Sequence, residues 1–163
     1  MIKRFVKYGF LAALLLGGCY GDFYSKNWAK TTLRHKPPLT VIKGVLDVGF
    51  TENSGMVFGI LNDGRAPKTK MPLLVLRIVI VVGVSVSIFL RRKETLFFLT
   101  ALVLIVAGAW GNIYDQMTSG HVVDFIHIHG GKVLDWPFFF NLADAYLCLG
   151  MGILLLRGFM AKK

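Results

Sequence analysis

The sequence predicts an all-α membrane protein: four transmembrane helices with a small β platform on their outer ends and a short surface helix. Three observations lead there. Mean hydropathy is +0.60, with 55% of residues hydrophobic. Only 17% are charged, against roughly 25% in ordinary soluble domains. The apolar residues are gathered into four runs, each near the ~20 residues that a spanning helix needs. A chain of 163 residues with four such runs has little left for a separate soluble domain, so residues 1–163 read as one integral-membrane domain.

The spans are expected at about residues 5–24, 72–90, 96–114 and 138–160, with outer loops at 25–71 and 115–137. The second run is interrupted by Arg77, the third carries no charge, and the fourth contains Asp144 and Arg157. An even number of spans puts both termini on one side. Lys3, Arg4, Lys7, Arg91, Arg92, Lys93, Arg157, Lys162 and Lys163 crowd short segments at one set of helix ends. The other side has as many basic residues, but spread over two long loops. Basic residues at helix ends and in short loops set orientation, so both termini are assigned to the cytoplasm. The net charge of +10 is then explained by topology and by anionic membrane lipids, and nucleic acid is not an expected partner. Cys19 and Cys148 both lie inside apolar runs, which is no disulfide framework.

The first outer loop is too long to be structureless. Leu39 to Phe50 is rich in β-forming residues, and Gly55 to Leu61 suits a short amphipathic helix on the membrane surface. In the second loop, Val122 to His129 alternates in places like a strand.

Polar residues near the helices converge on the outer side. Asp22 and Lys26, four apart, share a face at the end of span one. Asn112, Asp115 and Gln116 end span three, and Asn141 and Asp144 open span four. Asp144, six residues into its run, stands about 9 Å along a helix begun at Phe138. An ionised Asp at the centre of a span costs about 2.5–3.5 kcal/mol. Helix packing through hydrogen bonds is the plain reading of one such residue, but it does not explain carboxylates and carboxamides gathered at one end. Two carboxylates hydrolyse amides without metal or cofactor: one, ionised, takes a proton from water, and the other, neutral, donates to the carbonyl oxygen. Asp124 and Asp144 are the preferred pair, because Val122, Val123, Phe125 and Ile126 surround Asp124 with apolar neighbours. Asp115 with Asp144 is the alternative pairing.

At this point the residues resemble a known family over nearly the whole chain. Asp22-Phe23-Tyr24-Ser25-Lys26, Glu52-Asn53-Ser54-Gly55-Met56-Val57-Phe58, Gly111-Asn112-Ile113-Tyr114-Asp115, Val122-Val123-Asp124-Phe125 and Phe140-Asn141-Leu142-Ala143-Asp144 are similar, in order and spacing, to the motifs of lipoprotein signal peptidase (signal peptidase II). The resemblance implies Asp124 and Asp144 as the catalytic dyad of an aspartic endopeptidase. The substrate it implies is a diacylglyceryl-modified prolipoprotein, cleaved just before the lipidated cysteine. Asn53, Gly55, Asn112, Asp115, Gln116, Asn141 and Ala143 would bind substrate or order the site, with Asp22 and Lys26 in support. It further implies an extracytoplasmic β-cradle, a bacterial cytoplasmic-membrane location with the active site near the outer face, and inhibition by globomycin-type cyclic peptides. Gln116 departs from the pattern, which has Arg there; Arg offers a charged bidentate donor and Gln only neutral bonds. Met56-Val57 stands where the family has two alanines.

Two other classes compete. Lys3, Arg4 and Lys7, an apolar run and Leu16-Gly17-Gly18-Cys19 read as a lipoprotein signal peptide, making the chain a lipid-anchored substrate. A proton-coupled transporter also keeps carboxylates in its spans, but it needs them through the membrane depth, and here only Glu94 lies at the inner side. His127 and His129 sit two apart on one strand face; with no third ligand nearby in sequence they read as solvent-facing rather than as a zinc site. Arg77 reads as snorkelling to the outer headgroups. Trp28, Trp110 and Trp136 fit an interfacial aromatic belt. No base is placed to activate Cys148.

Overall fold

The computed structural model describes residues 2–54, 70–130, 134–135 and 138–160. The elements run α1 (Ile2–Thr32), β1 (Leu39–Ile42), β2 (Leu46–Asn53), α2 (Lys70–Leu90), α3 (Leu96–Ser119), β3 (Val122–Gly130), β4 (Leu134–Asp135) and α4 (Leu142–Met160). The expected strands in both outer loops are present. The expected surface helix at Gly55 to Leu61, and with it Gly55 and Trp136, lies outside the described residues.

Helix α3 is the axis of the bundle. It carries no charge from Leu96 to Tyr114, and Leu99, Ala101, Leu102, Val103, Val106, Ala107 and Ile113 are buried. Leu11 of α1 packs on Leu99 and Val103 at one level, and Val81 of α2 packs with Val106 and Ile113 at another. α4 approaches α3 most closely, because a Cβ on Gly108 would collide with the Ala143 carbonyl oxygen. Small residues at such a crossing are what let two membrane helices meet backbone to backbone. Thr95 caps the start of α3 by accepting from the Phe98 N–H, and Gly120, at φ 73°, ends it in the left-handed conformation that suits glycine.

The outward faces are apolar. Phe5 and Leu16 on α1, Val79 and Phe89 on α2, Phe97 on α3, and Leu149, Leu155 and Phe159 on α4 are all exposed. A surface of this kind marks lipid contact. By length and composition α3 and α4 each suffice to cross a membrane, and Leu74–Leu90 is a shorter apolar stretch.

One end of the bundle is basic. Lys7 Nζ donates to the carbonyls of Arg92 and Glu94, and Arg157 pairs with Glu94 at 2.7 Å. The start of α1, the α2–α3 turn and the end of α4 therefore lie together, and the sheet lies at the opposite end. The strands are antiparallel in the order β1-β2-β3-β4. The sheet rests on the end of α1 and the residue that follows it, where Ala29 and Leu33 pack against Val123 and Phe125.

Three boundaries differ from the expected ones. α3 continues to Ser119 rather than ending at 114, which puts Asp115 and Gln116 on the helix. α1 continues to Thr32, past the end of its apolar run, since its last turns are buried against the sheet. It is also unbroken through Cys19. α4 begins at Leu142 rather than Phe138: Phe140 instead exchanges backbone hydrogen bonds with Ile126 of β3. Asp144 is thus in the first turn of its helix, not 9 Å along it.

Candidate active site

The start of α4 is built by its own side chains. Asn141 precedes the first helical residue; its Oδ1 accepts from the Asp144 N–H at 3.0 Å, and Asp144 Oδ2 accepts from the Asn141 N–H at 3.1 Å. This is a reciprocal capping box. It fixes the Asp144 carboxylate at a helix N-terminus, where the dipole favours negative charge. The next free N–H, that of Ala143, is taken by Asp22 Oδ1 at 2.9 Å.

The two candidate catalytic carboxylates are joined through two amides. Asn141 Nδ2 donates to Asp124 Oδ1 at 2.6 Å, to Asn112 Oδ1 at 3.2 Å and to the Val123 carbonyl at 3.2 Å. Asn112 Nδ2 donates to Asp144 Oδ1 at 2.8 Å. Asn53, at the end of β2, donates to Asp124 Oδ2 at 3.0 Å. Asn112 cannot flip without loss, because its oxygen also accepts from Lys26 Nζ at 3.0 Å.

Behind these residues lies a buried ionic cluster. Lys26 is 2% exposed and Asp22 1%. Lys26 lies 2.7 Å from Asp22 and 3.3 Å from Asp115, and Asp115 Oδ2 also accepts from the Val123 N–H. A lysine this deep requires counter-charges and full hydrogen bonding, and both are present. Gly111 is needed here, since a Cβ would strike the Asp22 carboxylate.

Asp124, Asp144, Asn53 and Asn112 line a cavity of about 430 Å³ whose remaining walls include Ile80, Leu147 and Met151. Burial pushes the Asp124 carboxyl up to about 7, and the neighbouring Asp144 charge adds to the rise while Asn53 and Asn141 oppose it. Asp124 thus keeps its proton to higher pH than an ordinary carboxyl, beside Asp144, which accepts from two N–H donors. One neutral and one ionised carboxyl on an apolar cavity can activate water and protonate a carbonyl together.

Of the residues expected from sequence, Asn53, Asn112, Asp124, Asn141 and Asp144 come together as one network. Asp22, Lys26, Asp115 and Ala143 hold it from behind. Gln116 is not part of the cavity wall: its Nε2 donates at 2.9 Å to the Gly120 carbonyl at the end of its own helix. Arg77 is a cavity residue rather than one reaching for headgroups. Its sequence signal was visible, a single charge in an apolar run, but only the packing of α2 against α3 turns it inward. The capping role of Asn141 was also legible, in its spacing three before an acidic residue.

Residues 11–160 match the family described as signal peptidase (SPase) II. A lipoprotein signal peptidase of Pseudomonas aeruginosa is 35% identical over 144 residues, covering 87% of this chain and 83% of its own. Those of Ectopseudomonas mendocina and Chlorobium phaeobacteroides are each 34% identical, over 96% and 83% of this chain and 93% and 81% of their own. A solved bacterial membrane enzyme, obtained by the in meso method at 2.3 Å resolution, superposes with a TM-score of 0.81 at 26% identity, covering 95% of this chain and 90% of that one. A second, at 1.9 Å resolution, gives 0.76 at 28% identity, with 91% and 92% covered. Sequence and fold agree: the chain belongs to the signal peptidase II family.

Proposed function

We propose that this protein is a membrane aspartic endopeptidase that removes the signal peptide of diacylglyceryl-modified prolipoproteins, cutting directly before the lipidated cysteine. The observation that carries the reading is the amide bridge Asp124–Asn141–Asn112–Asp144 on the wall of one cavity. Asp144 is the ionised partner and Asp124 the neutral one. A water held between them attacks the scissile carbonyl carbon and gives a proton to Asp144. Asp124 protonates the carbonyl oxygen. As the tetrahedral intermediate collapses, Asp144 passes its proton to the cysteine nitrogen, the C–N bond breaks, and Asp124 takes the proton of the hydroxyl that becomes the new carbonyl, so the pair again holds one proton as at the start.

The same reading makes residues 1–163 one integral-membrane domain with all four helices spanning. The basic end lies in the cytoplasm and the cavity opens near the outer face of the bacterial cytoplasmic membrane. The positive residues at Lys7, Arg91, Arg92 and Arg157 support that orientation, and the apolar cavity walls suit a lipid-bearing peptide. Globomycin-type cyclic peptides are expected to compete for the cavity.

The test is cleavage of a synthetic lipidated prolipoprotein peptide by the purified protein, read by mass. The product should begin with the lipidated cysteine. An intact peptide, or a cut elsewhere, refutes the assignment. The intact mass of the protein itself should retain Met1 to Gly18; their loss would make the chain a substrate.

A further inference from the structure

On the sequence, His127 and His129 lack a third ligand. The fold supplies one. Asp47 of β2 is the direct cross-strand partner of His127, and His129 lies two residues further along β3. In an antiparallel pair, opposed residues and residues two apart share a face, so all three project together. His129 Nε2 and Asp47 Oδ2 are 2.7 Å apart, and one ligand atom from each of the three residues lies within 4.8 Å of the others. The His127 and His129 rings are edge to face at 4.2 Å, and His127 stacks on Phe139 at 4.8 Å, which limits its rotation. The His129 and Asp47 side chains are 29% and 21% exposed, deep enough to be positioned and open enough for an ion to enter.

We propose that Asp47, His127 and His129 form a binding site for a borderline divalent transition-metal ion, with Zn²⁺ as the fitting case. Two imidazoles and one carboxylate are zinc ligands, and they do not suit Mg²⁺ or Ca²⁺, which take oxygen ligands. Zinc bonds of about 2.0–2.2 Å in a tetrahedron put ligand atoms roughly 3.4 Å apart, so the site is completed when His129 and Asp47 part slightly from 2.7 Å and the wider separations, up to 4.8 Å, close, leaving a fourth position for water. The site is not the catalytic one. Along β3, Asp124 and Val122 face the cavity, while Val123 and Phe125 face the α1 contact. The alternation puts His127 and His129 on the second face. The bound ion would instead tie β2 to β3 next to Phe139, two residues before Asn141.

The probe is ZnCl₂ added to the untagged, full-length protein in detergent after chelator treatment, read by calorimetry and by thermal midpoint. The wild type should bind one Zn²⁺ per chain at this site, with a rise in midpoint that millimolar Mg²⁺ does not reproduce. His127→Gln, His129→Gln and Asp47→Asn should each weaken binding by at least about tenfold and remove the rise. Asp47→Asn keeps a side chain able to bond His129, so its folding is not in question. Peptidase activity should be the same with and without zinc. Saturable binding that persists in the His127→Gln/His129→Gln double variant, absence of binding in the wild type, or loss of activity on chelation would each overturn the proposal. None of the binding readouts depends on the peptidase reading.

Discussion

The two ends of the helix bundle use the same residue types to opposite effect. At the basic end, Glu94 meets Arg157 at 2.7 Å, and the hydrogen bond from Arg157 holds its carboxyl below the usual range. Arg157 also lies over the Phe98 ring at 4.2 Å, so its stem and one face are covered while Glu94 stays near solvent. At the end that carries the sheet, Asp124 has two amide donors at 2.6 and 3.0 Å and is still raised to about 7, because burial outweighs them. Hydrogen bonds to neutral amides are weaker than those to charged groups, and they do not offset loss of water. The difference between the two carboxyls lies in what surrounds each, not in how many donors it has.

Removing the proposed dyad tests this contrast most severely. Asp124→Asn and Asp144→Asn should each lower cleavage of a lipidated peptide by about 10²–10⁴-fold, with the protein still folded by thermal melt. Wild-type turnover by either variant removes that residue from the dyad.

Lys26→Met comes next. It leaves Asp22 and Asp115 buried without their cation and releases the Asn112 oxygen. Breaking one member of a buried ionic cluster costs about 3–5 kcal/mol, so its thermal midpoint should fall well below that of the wild type. Asp22→Asn keeps an acceptor for the Ala143 N–H and should be milder. Equal midpoints for Lys26→Met and the wild type would mean the cluster is dispensable.

The raised Asp124 value adds a pH signature. Its folded value, about 7, lies above the ordinary 3.8. Its contribution to stability is therefore complete below about pH 4 and is lost as pH rises through 7. Asp124→Asn, neutral throughout, should gain in midpoint relative to the wild type between pH 4 and pH 8. Over the upper part of that range the wild-type rate should fall as the neutral acid is lost. A midpoint difference independent of pH would place Asp124 in contact with water.

Gln116→Arg should change peptide KM and inhibitor affinity by no more than about twofold, because residue 116 turns toward Gly120. A tenfold tightening would bring it back to the cavity. Smallest of all, Glu94→Gln should leave the rate unchanged and move the midpoint less than any variant above, as expected for an ion pair that water still reaches. A fall in activity would show that the two ends are coupled.

By itself the sequence determined the helical runs, the strands in the two long loops, the one-sided gathering of acidic and amide side chains, and the residues that make up the motifs. These follow from local rules: apolar length, period-two alternation, and charge that lipid does not accept. The tertiary structure decided which of those residues meet. Asp124 rather than Asp115 faces Asp144, because Asp115 is drawn to Lys26 and to the Val123 N–H. Asp144 stands at a helix start because Phe140 pairs with Ile126, which delays α4 until Asn141 caps it. Arg77 points inward and Gln116 does not. Asp47 arrives beside His127 through strand pairing across 80 residues of chain. Such meetings depend on how closely helices approach and how strands align, and both are set by packing between elements far apart in the chain.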